Sequence, residues 1–135
     1  MIVPSHKSSL HADHRQRQKL RVTTSTSLAD KYHGLKSLQV NLQFYEADGI
    51  RKMTEVKYSV NLRHARSVFL FACPKEDCVE GDFDLSQKLA SAVAEHEALA
   101  SGELCCQGQR RRALKGDACG CHSVLRYTLN LDYRS

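Results

Sequence analysis

The positions of the six cysteines constrain this chain more than any other feature, because all of them lie between residues 73 and 121 of 135. They are Cys73, Cys78, Cys105, Cys106, Cys119 and Cys121. Cysteines that act as small hydrophobic core residues need not cluster, whereas metal ligands must come together around one ion. A closed structural zinc site takes four ligands in a tetrahedron. The clustering therefore predicts one structural zinc site, with four of the six cysteines as ligands.

The first ligand pair is indicated by a short motif at the end of an apolar run. Cys73 and Cys78 are separated by four residues, and Pro74 follows the first of them. Two thiolates on one tight turn can reach the same ion, at about 2.3 Å from each sulfur. Proline suits such a turn because its φ is restricted and it has no N–H to compete for acceptors. We therefore expect Cys73 and Cys78 to supply two ligands.

Strand parity selects the second pair, since alternate residues of a strand point to opposite faces. Cys106 shares its face with Leu104, whereas Cys105 has the opposite parity. Cys121 has the parity of Leu125 in the last apolar segment. These patterns predict Cys73, Cys78, Cys106 and Cys121 as the metal ligands. The alternatives for the fourth place are Cys119 and His122.

Other interpretations of the cysteines stay open at this point. They could be buried free thiols, or they could form disulfides or a thiol-redox centre. A catalytic zinc would need an open coordination position and a nearby general base. No common hydrolase or phosphate-binding motif is present, so we predict no catalytic residues. A thiol-redox or metal-dependent enzyme is the last of the functional alternatives.

The expected compartment supports metal ligands over disulfides. The first residues lack the apolar segment of about 7–15 residues that a secretory signal peptide carries. No run of about 18 apolar residues indicates a membrane span. We therefore expect a cytoplasmic protein that does not partner a membrane. In a reducing compartment, cysteines bind metals more often than they form disulfides.

The chain is expected to contain one domain, because 135 residues with 41% hydrophobic content suffice for one modest core. Residues 1–25 are polar and show no periodicity, which predicts a disordered basic leader. Residues 26–135 form the predicted zinc-stabilised domain. The net charge is +5, but +4 of it belongs to the leader, so the remainder is nearly neutral.

The predicted fold class is α+β, in the order β-β-β-α-β-β. Residues 37–45 alternate strictly between apolar and polar side chains, as a half-buried antiparallel strand does. An apolar stripe indicates one helix, with Asp84 as its N-cap and Gly102 as its stop. We expect an antiparallel sheet of about five strands with the helix on one face. The segment 68–72 is apolar on both faces and is placed centrally. The predicted strands are 37–45, 54–63, 68–72, 102–110 and 122–133, and the helix is 85–101.

A basic loop provides the alternative to a protein partner. It follows the fourth predicted strand and contains Arg110, Arg111, Arg112 and Lys115. Together with the basic leader, these side chains could contact nucleic-acid phosphates. A solvated loop is the simpler interpretation, since the domain is nearly neutral.

Four segments between residues 68 and 133 resemble a group of short, uncharacterised bacterial proteins. The segments are FACPKEDC, GDFDL, GELCCQG and CHSVLRYTL. The resemblance implies a zinc-ribbon-like metal site and no particular activity. Cys105 and Cys119 are extra cysteines relative to that pattern.

These observations predict a small zinc-binding protein that acts as a structural or protein-interaction module. The ion would supply folding free energy that a small sheet lacks. The expected partner is another protein, which could use a sheet edge, and the oligomeric state stays open. A nucleic-acid-binding module is the second hypothesis.

Overall fold

The computed structural model describes residues 12–75, 78–79, 81–107, 109–110 and 121–134, with only the backbone at 79, 109 and 110. Three helices and eight strands lie within these residues. The helices are α1 (Ala12–Thr23), α2 (Leu28–Lys31) and α3 (Ser86–Ala94). The strands are β1 (Leu35–Tyr45), β2 (Lys52–Ser59), β3 (Leu70–Ala72), β4 (Cys78–Val79), β5 (Asp82–Asp84), β6 (Leu99–Cys105), β7 (Gln109–Arg110) and β8 (Val124–Tyr133).

The main sheet is antiparallel and has the strand order β2-β1-β8-β6. Its two central strands are long, with 11 residues in β1 and 10 in β8. Strict alternation explains this arrangement, because each central strand presents an apolar row to one face. Val40 and Leu129, for example, are paired and buried. The α+β class and the antiparallel sheet are confirmed, although the sheet has four strands.

The segment 68–72 does not form a central strand, and the prediction of a five-stranded sheet is wrong at this point. Among the described residues, β3 pairs with β5 alone, and the short β4 pairs with β7 in a second two-stranded sheet. The segment is apolar on both faces for another reason. Phe69 is buried in the core and packs edge-on against Phe71, with ring centroids 4.9 Å apart. Leu70 lies on the side that α1 borders.

The helix α3 is shorter than predicted, and Gly102 does not end it. The chain turns at His96, which adopts a left-handed φ of 55°. The amide of His96 donates to Val93 O at 3.0 Å, and that of Glu97 donates to Ala92 O at 2.9 Å. These two bonds form a Schellman motif, with histidine where glycine is usual. The imidazole ring of His96 packs on the Tyr133 ring at a centroid distance of 3.8 Å, which connects the turn to β8.

Two further details of this region differ from the prediction. The helix N-cap is Leu85, although the carboxylate of Asp84 does accept the Ser86 amide at 2.9 Å. Gly102 lies inside β6, where the absence of a side chain leaves room for the Tyr127 ring. A side-chain Cβ at this position would come 2.8 Å from Tyr127 Cζ. The glycine therefore serves packing and not helix termination.

The N-terminal segment contains a helix where we expected a disordered leader. No residue of α1 is buried, so burial of an apolar stripe does not explain the helix. Polar contacts hold it instead. His14 and Arg15 pair with the carboxylate of Asp82, and Gln18 donates to the same group at 2.8 Å. An apolar periodicity search misses a helix that is anchored in this way. The separation of a leader from the domain 26–135 stays a prediction.

The core lies between the inner face of the main sheet and α2, α3 and the segment that carries β3 and β5. Its largest fully buried apolar side chains are Phe83, Leu28, Leu35, Leu38, Leu42, Leu85, Leu89, Leu125 and Leu129. The buried cysteines belong to the same cluster, so the cysteine end is continuous with the core. None of the helices in the described ranges is long and apolar enough to span a membrane.

Candidate metal centre

Four cysteines from four separate parts of the chain converge at one end of the main sheet. Cys73 follows β3 and Cys78 begins β4. Cys106 follows β6 directly, and Cys121 lies shortly before β8. Their Sγ atoms all lie within 4.8 Å of one another. The structure thus brings together the four cysteines that spacing and parity selected.

Two of the sulfur–sulfur distances are close to those of a tetrahedral metal site. Cys73 Sγ lies 3.7 Å from Cys121 Sγ, and Cys78 Sγ lies 3.6 Å from Cys106 Sγ. A disulfide would require about 2.05 Å. Four sulfurs at about 2.3 Å from a central ion are separated by about 3.8 Å, by the geometry of a tetrahedron. The cluster is therefore compatible with a metal ion bound by four thiolates.

The site is closed to solvent on most sides. Cys106 and Cys121 are fully buried, and Cys78 is 2% exposed. Cys73 is half-buried, and the neighbouring Cys105 is exposed. Parity explains the contrast between Cys105 and Cys106, since they lie at consecutive positions at the end of β6.

A glycine makes space for the sulfurs. A Cβ at Gly81 would lie 2.3 Å from Cys78 Sγ and 2.6 Å from Cys106 Sγ. The same Cβ would come 3.0 Å from the Cβ of Cys73. Real carbon–sulfur contacts do not reach such distances, so any side chain here would displace the thiols. Gly81 is thus part of the cavity that could hold the ion.

Backbone hydrogen bonds position three of the clustered cysteines. The amide of Cys73 donates to Gly81 O at 3.1 Å, and that of Cys106 donates to Ser123 O at 2.7 Å. The Cys78 amide donates to Lys75 O at 3.1 Å, which closes the turn between the first two cysteines. Two of these bonds link a cysteine to a separate segment and the third closes a local turn, so three of the four clustered cysteines are fixed through their own amides.

Two polar side chains support this arrangement. The hydroxyl of Ser123, which is fully buried, lies 3.0 Å from Cys121 Sγ. A serine hydroxyl can donate to a thiolate and so stabilise a ligand in its metal-binding form. Lys75 forms an ion pair with Glu46, with Nζ–Oε distances of 2.8 and 2.9 Å. This pair ties the Cys73–Cys78 turn to the end of the main sheet.

The four thiols perturb one another strongly when they share protons. Hydrogen bonds from Cys106, Cys73 and Cys78 lower the pKa of Cys121, and the Ser123 hydroxyl contributes in the same direction. Hydrogen bonding with Cys106, Cys121 and Cys73 raises the pKa of Cys78. Close thiols cannot all ionise without a cation between them. A bound metal ion would remove this conflict, since every ligand is then a thiolate.

The remaining predicted site residues lie outside the cluster or outside the described residues. His122 is exposed, adopts a left-handed φ of 55° and is not among the four clustered residues. Cys119 falls outside the described ranges. Arg111, Arg112 and Lys115 do so as well, and for Arg110 only the backbone is described, in β7.

Sequence reasoning missed Gly81 and Ser123. Neither residue type is a common metal ligand, so a search for ligand spacing passes over both. Gly81 is followed by Asp82, and this pair by itself indicates no more than an ordinary turn. Only the packing of sulfurs against its α-carbon shows why a side chain is excluded.

The chain matches no protein family model, no curated protein and no solved structure. The resemblance to short bacterial zinc-ribbon-like proteins therefore stays a prediction. The function of the chain has to be inferred from its own geometry.

Proposed function

We propose that this chain is a zinc-stabilised protein-interaction module, in which Cys73, Cys78, Cys106 and Cys121 bind one structural zinc ion. The convergence of four thiols at tetrahedral spacing carries the proposal. Four thiolates in a tetrahedron favour zinc or iron over hard cations such as Mg²⁺. With all four positions taken by the protein, no position is left for substrate, so the role of the ion is structural.

The test is the metal content of the purified protein, combined with X-ray absorption. We expect one zinc per chain, bound by four sulfurs at about 2.3 Å. A chelator should unfold the cysteine end, because zinc binding supplies folding free energy. A metal-free protein with an unchanged fold would refute the proposal. Iron in place of zinc, seen by its visible absorption, would refute the identity of the ion while retaining the site.

The interaction surface that supports a protein partner is the edge strand β2. It is the terminal strand of the main sheet, so one side of its backbone has no strand partner there. Val56 and Tyr58 point to the inner face and are 41% and 38% exposed. A strand from another chain could pair with this edge and cover both side chains.

A second copy of the chain is the partner that best fits this edge. If two β2 strands pair antiparallel around Val56, Glu55 of each copy lies opposite Lys57 of the other. Opposite charges across a strand pair are stabilising, whereas like charges are destabilising. Within one chain, Glu55 already pairs with Lys57 at 3.3 Å. In the dimer, each of these side chains would instead pair with the opposite charge on the other copy, so the number of ion pairs would stay the same.

Sedimentation equilibrium of the metal-loaded protein tests this pairing. The wild type should form dimers, and Glu55→Lys should dissociate them because lysines then face one another. The double variant Glu55→Lys/Lys57→Glu should restore them. A monomer at all concentrations would refute self-association through β2, and one zinc per chain in that monomer would leave the metal proposal intact.

A further inference from the structure

A cluster of cationic side chains surrounds a cavity at the end of the main sheet opposite the cysteines. The cavity has a volume of about 440 Å³. It is lined by His33, Lys36, Arg63 and Arg134, which we call the basic cleft, together with neutral residues. No carboxylate is among the residues that line it, all of which lie in the described part of the chain.

Backbone hydrogen bonds between separate segments build the cleft. The amide of Ala29 in α2 donates to Leu62 O at 2.8 Å, which brings the segment after β2 beside the helix. The amide of Arg134 donates to Gly34 O at 2.8 Å, which brings the end of β8 beside the start of β1. Lys36, Arg63 and Arg134, together with His33, are therefore held on one side of the fold by hydrogen bonds between separate segments.

The charge in the cleft is poorly compensated. Lys36 approaches Asp132 at 3.9 Å, but both side chains are 65% exposed, so this pair contributes little. Neither Arg63 nor Arg134 forms an ion pair with any carboxylate in the described ranges. Like charges close together repel one another, and a bound anion removes that cost. The local charge is also at odds with the near neutrality of residues 26–135.

The lining chemistry distinguishes among anions. Apart from the exposed imidazole of His33, no aromatic ring lines the cleft, so it offers little surface for stacking nucleotide bases. The cations are exposed and come from three segments, and Arg63 and Arg134 can each bind a phosphate through two N–H groups. Such a surface suits several phosphates spaced along a chain better than one enclosed small molecule.

We propose that the basic cleft binds the phosphodiester backbone of a nucleic acid, without reading its bases. Contacts to phosphates position a protein on nucleic acid but carry no sequence information. The site is independent of the metal centre. β1 extends over 11 residues, so its two ends lie about 34 Å apart at a rise of about 3.4 Å per residue. The cleft lies at the Leu35 end and the cysteines near the Tyr45 end.

The experiment measures fluorescence anisotropy of labelled 20-nucleotide DNA and RNA, single-stranded and duplex, with the metal-loaded full chain in 50 mM salt. Arg63→Glu/Arg134→Glu should raise Kd at least tenfold. The matched control, Arg51→Glu/Lys88→Glu, changes the net charge equally at exposed sites away from the cleft and from the β2 edge, and should raise Kd much less. The slope of the logarithm of the association constant against log salt is negative. Its magnitude should decrease by about 0.7–0.9 for each phosphate that the variant no longer binds.

A milder variant protects the test against misfolding. Arg63→Gln/Arg134→Gln removes the charges without reversing them and should weaken binding in the same direction by a smaller factor. Circular dichroism and the zinc content of each variant establish that the fold is retained.

Several results would overturn the proposal. Wild-type protein that does not bind any of the four nucleic acids at 50 mM salt would do so. Equal weakening by the cleft and control variants would show a general charge effect. Loss of binding only in an Arg110→Ala/Arg111→Ala/Arg112→Ala variant would assign the interaction to the loop. Competition by inorganic phosphate or ATP at the affinity of the oligonucleotide would point to a small phosphorylated ligand.

Discussion

The main sheet and the cysteine end are stabilised in different ways. β1 and β8 are long strands whose buried residues interlock over their whole length. Around the cysteines, the paired strands have only two or three residues each. Short strand pairs are marginal in water by themselves. Hydrophobic burial along the strands can hold the first region, whereas the second has fewer strand contacts and would gain most from a cross-link, which four converging thiols and a metal ion could supply.

The largest effect on metal content and stability is expected when one of the proposed ligands is removed, because this destabilises the cysteine end and leaves the main sheet intact. Cys106→Ser should reduce the metal content from one ion per chain to near zero. Structural zinc in small peptides is worth about 10–16 kcal/mol at pH 7, and most of that should be lost. Cys105→Ser is the matched control, because Cys105 is the exposed neighbour. Equal metal loss in both variants would contradict the ligand assignment.

The second effect tests the main sheet without touching the metal. Leu129 is fully buried in β8, and Leu129→Ala should lower the free energy of unfolding by about 2–5 kcal/mol. Metal content should stay at one ion per chain, because Leu129 lies at mid-sheet. Leu99→Ala serves as the control, since Leu99 is 58% exposed. Urea denaturation followed by metal analysis checks both values, and a drop in metal content would show that the regions are not separable.

A smaller effect should come from crowding the sulfurs without removing one. Gly81→Ala would place a methyl group within 2.6 Å of two ligand sulfurs. We expect a loss of about 1–3 kcal/mol and weaker metal binding in a competition with a chelator. Gly34→Ala is the control, since a Cβ there meets nothing within 4 Å. Metal affinity that is unchanged in Gly81→Ala would argue against a tightly built site.

The smallest effect concerns the attachment of α1, which lies on β5 beside the cysteine end. Burial raises the pKa of Asp82, but hydrogen bonds from Arg15, Gln18 and His14 outweigh it, so the net pKa is lowered. A lowered folded-state pKa means that the stabilisation is present above the ordinary value near 4 and is lost as the pH falls through the lowered value.

Asp82→Asn should therefore weaken the attachment of α1 at neutral pH by about 1–2 kcal/mol, because charge-assisted hydrogen bonds are lost. Amide hydrogen exchange of α1 measures the change. Asp84→Asn is the matched control: its contact with Arg21 is 3.2 Å long and exposed, so α1 should lose little protection. Equal effects from the two substitutions would show that Asp82 has no special part in anchoring the helix.

Particular residues show how far the sequence can be followed. The alternation of apolar and polar residues is sufficient to predict β1 and β8, because a period of two is a local property of a half-buried strand. The same parity distinguishes Cys106 from Cys105 without any knowledge of tertiary contacts. Parity does not give the position of residues 68–72 in the fold. A run that is apolar on both faces can be covered by a core on one side and a helix on the other. A central strand is only one of the arrangements with that pattern.

Other features have no local signal. The end of α3 depends on a histidine in the left-handed conformation, and its ring packs on Tyr133 from the far end of the chain. The helix α1 is held by a carboxylate almost 70 residues away in sequence. The basic cleft collects cations from three segments, none of which carries a distinctive pattern by itself.

The sequence by itself determined the α+β class, the two central strands and the four cysteines that could share a metal ion, because periodicity and ligand chemistry are written in neighbouring residues. Tertiary structure decided which short strands pair, where α3 ends, how α1 is attached, why residue 81 has no side chain and where the positive charge gathers. These depend on contacts between segments far apart in the chain. No local pattern encodes such contacts, since their energies exist only once the segments have come together.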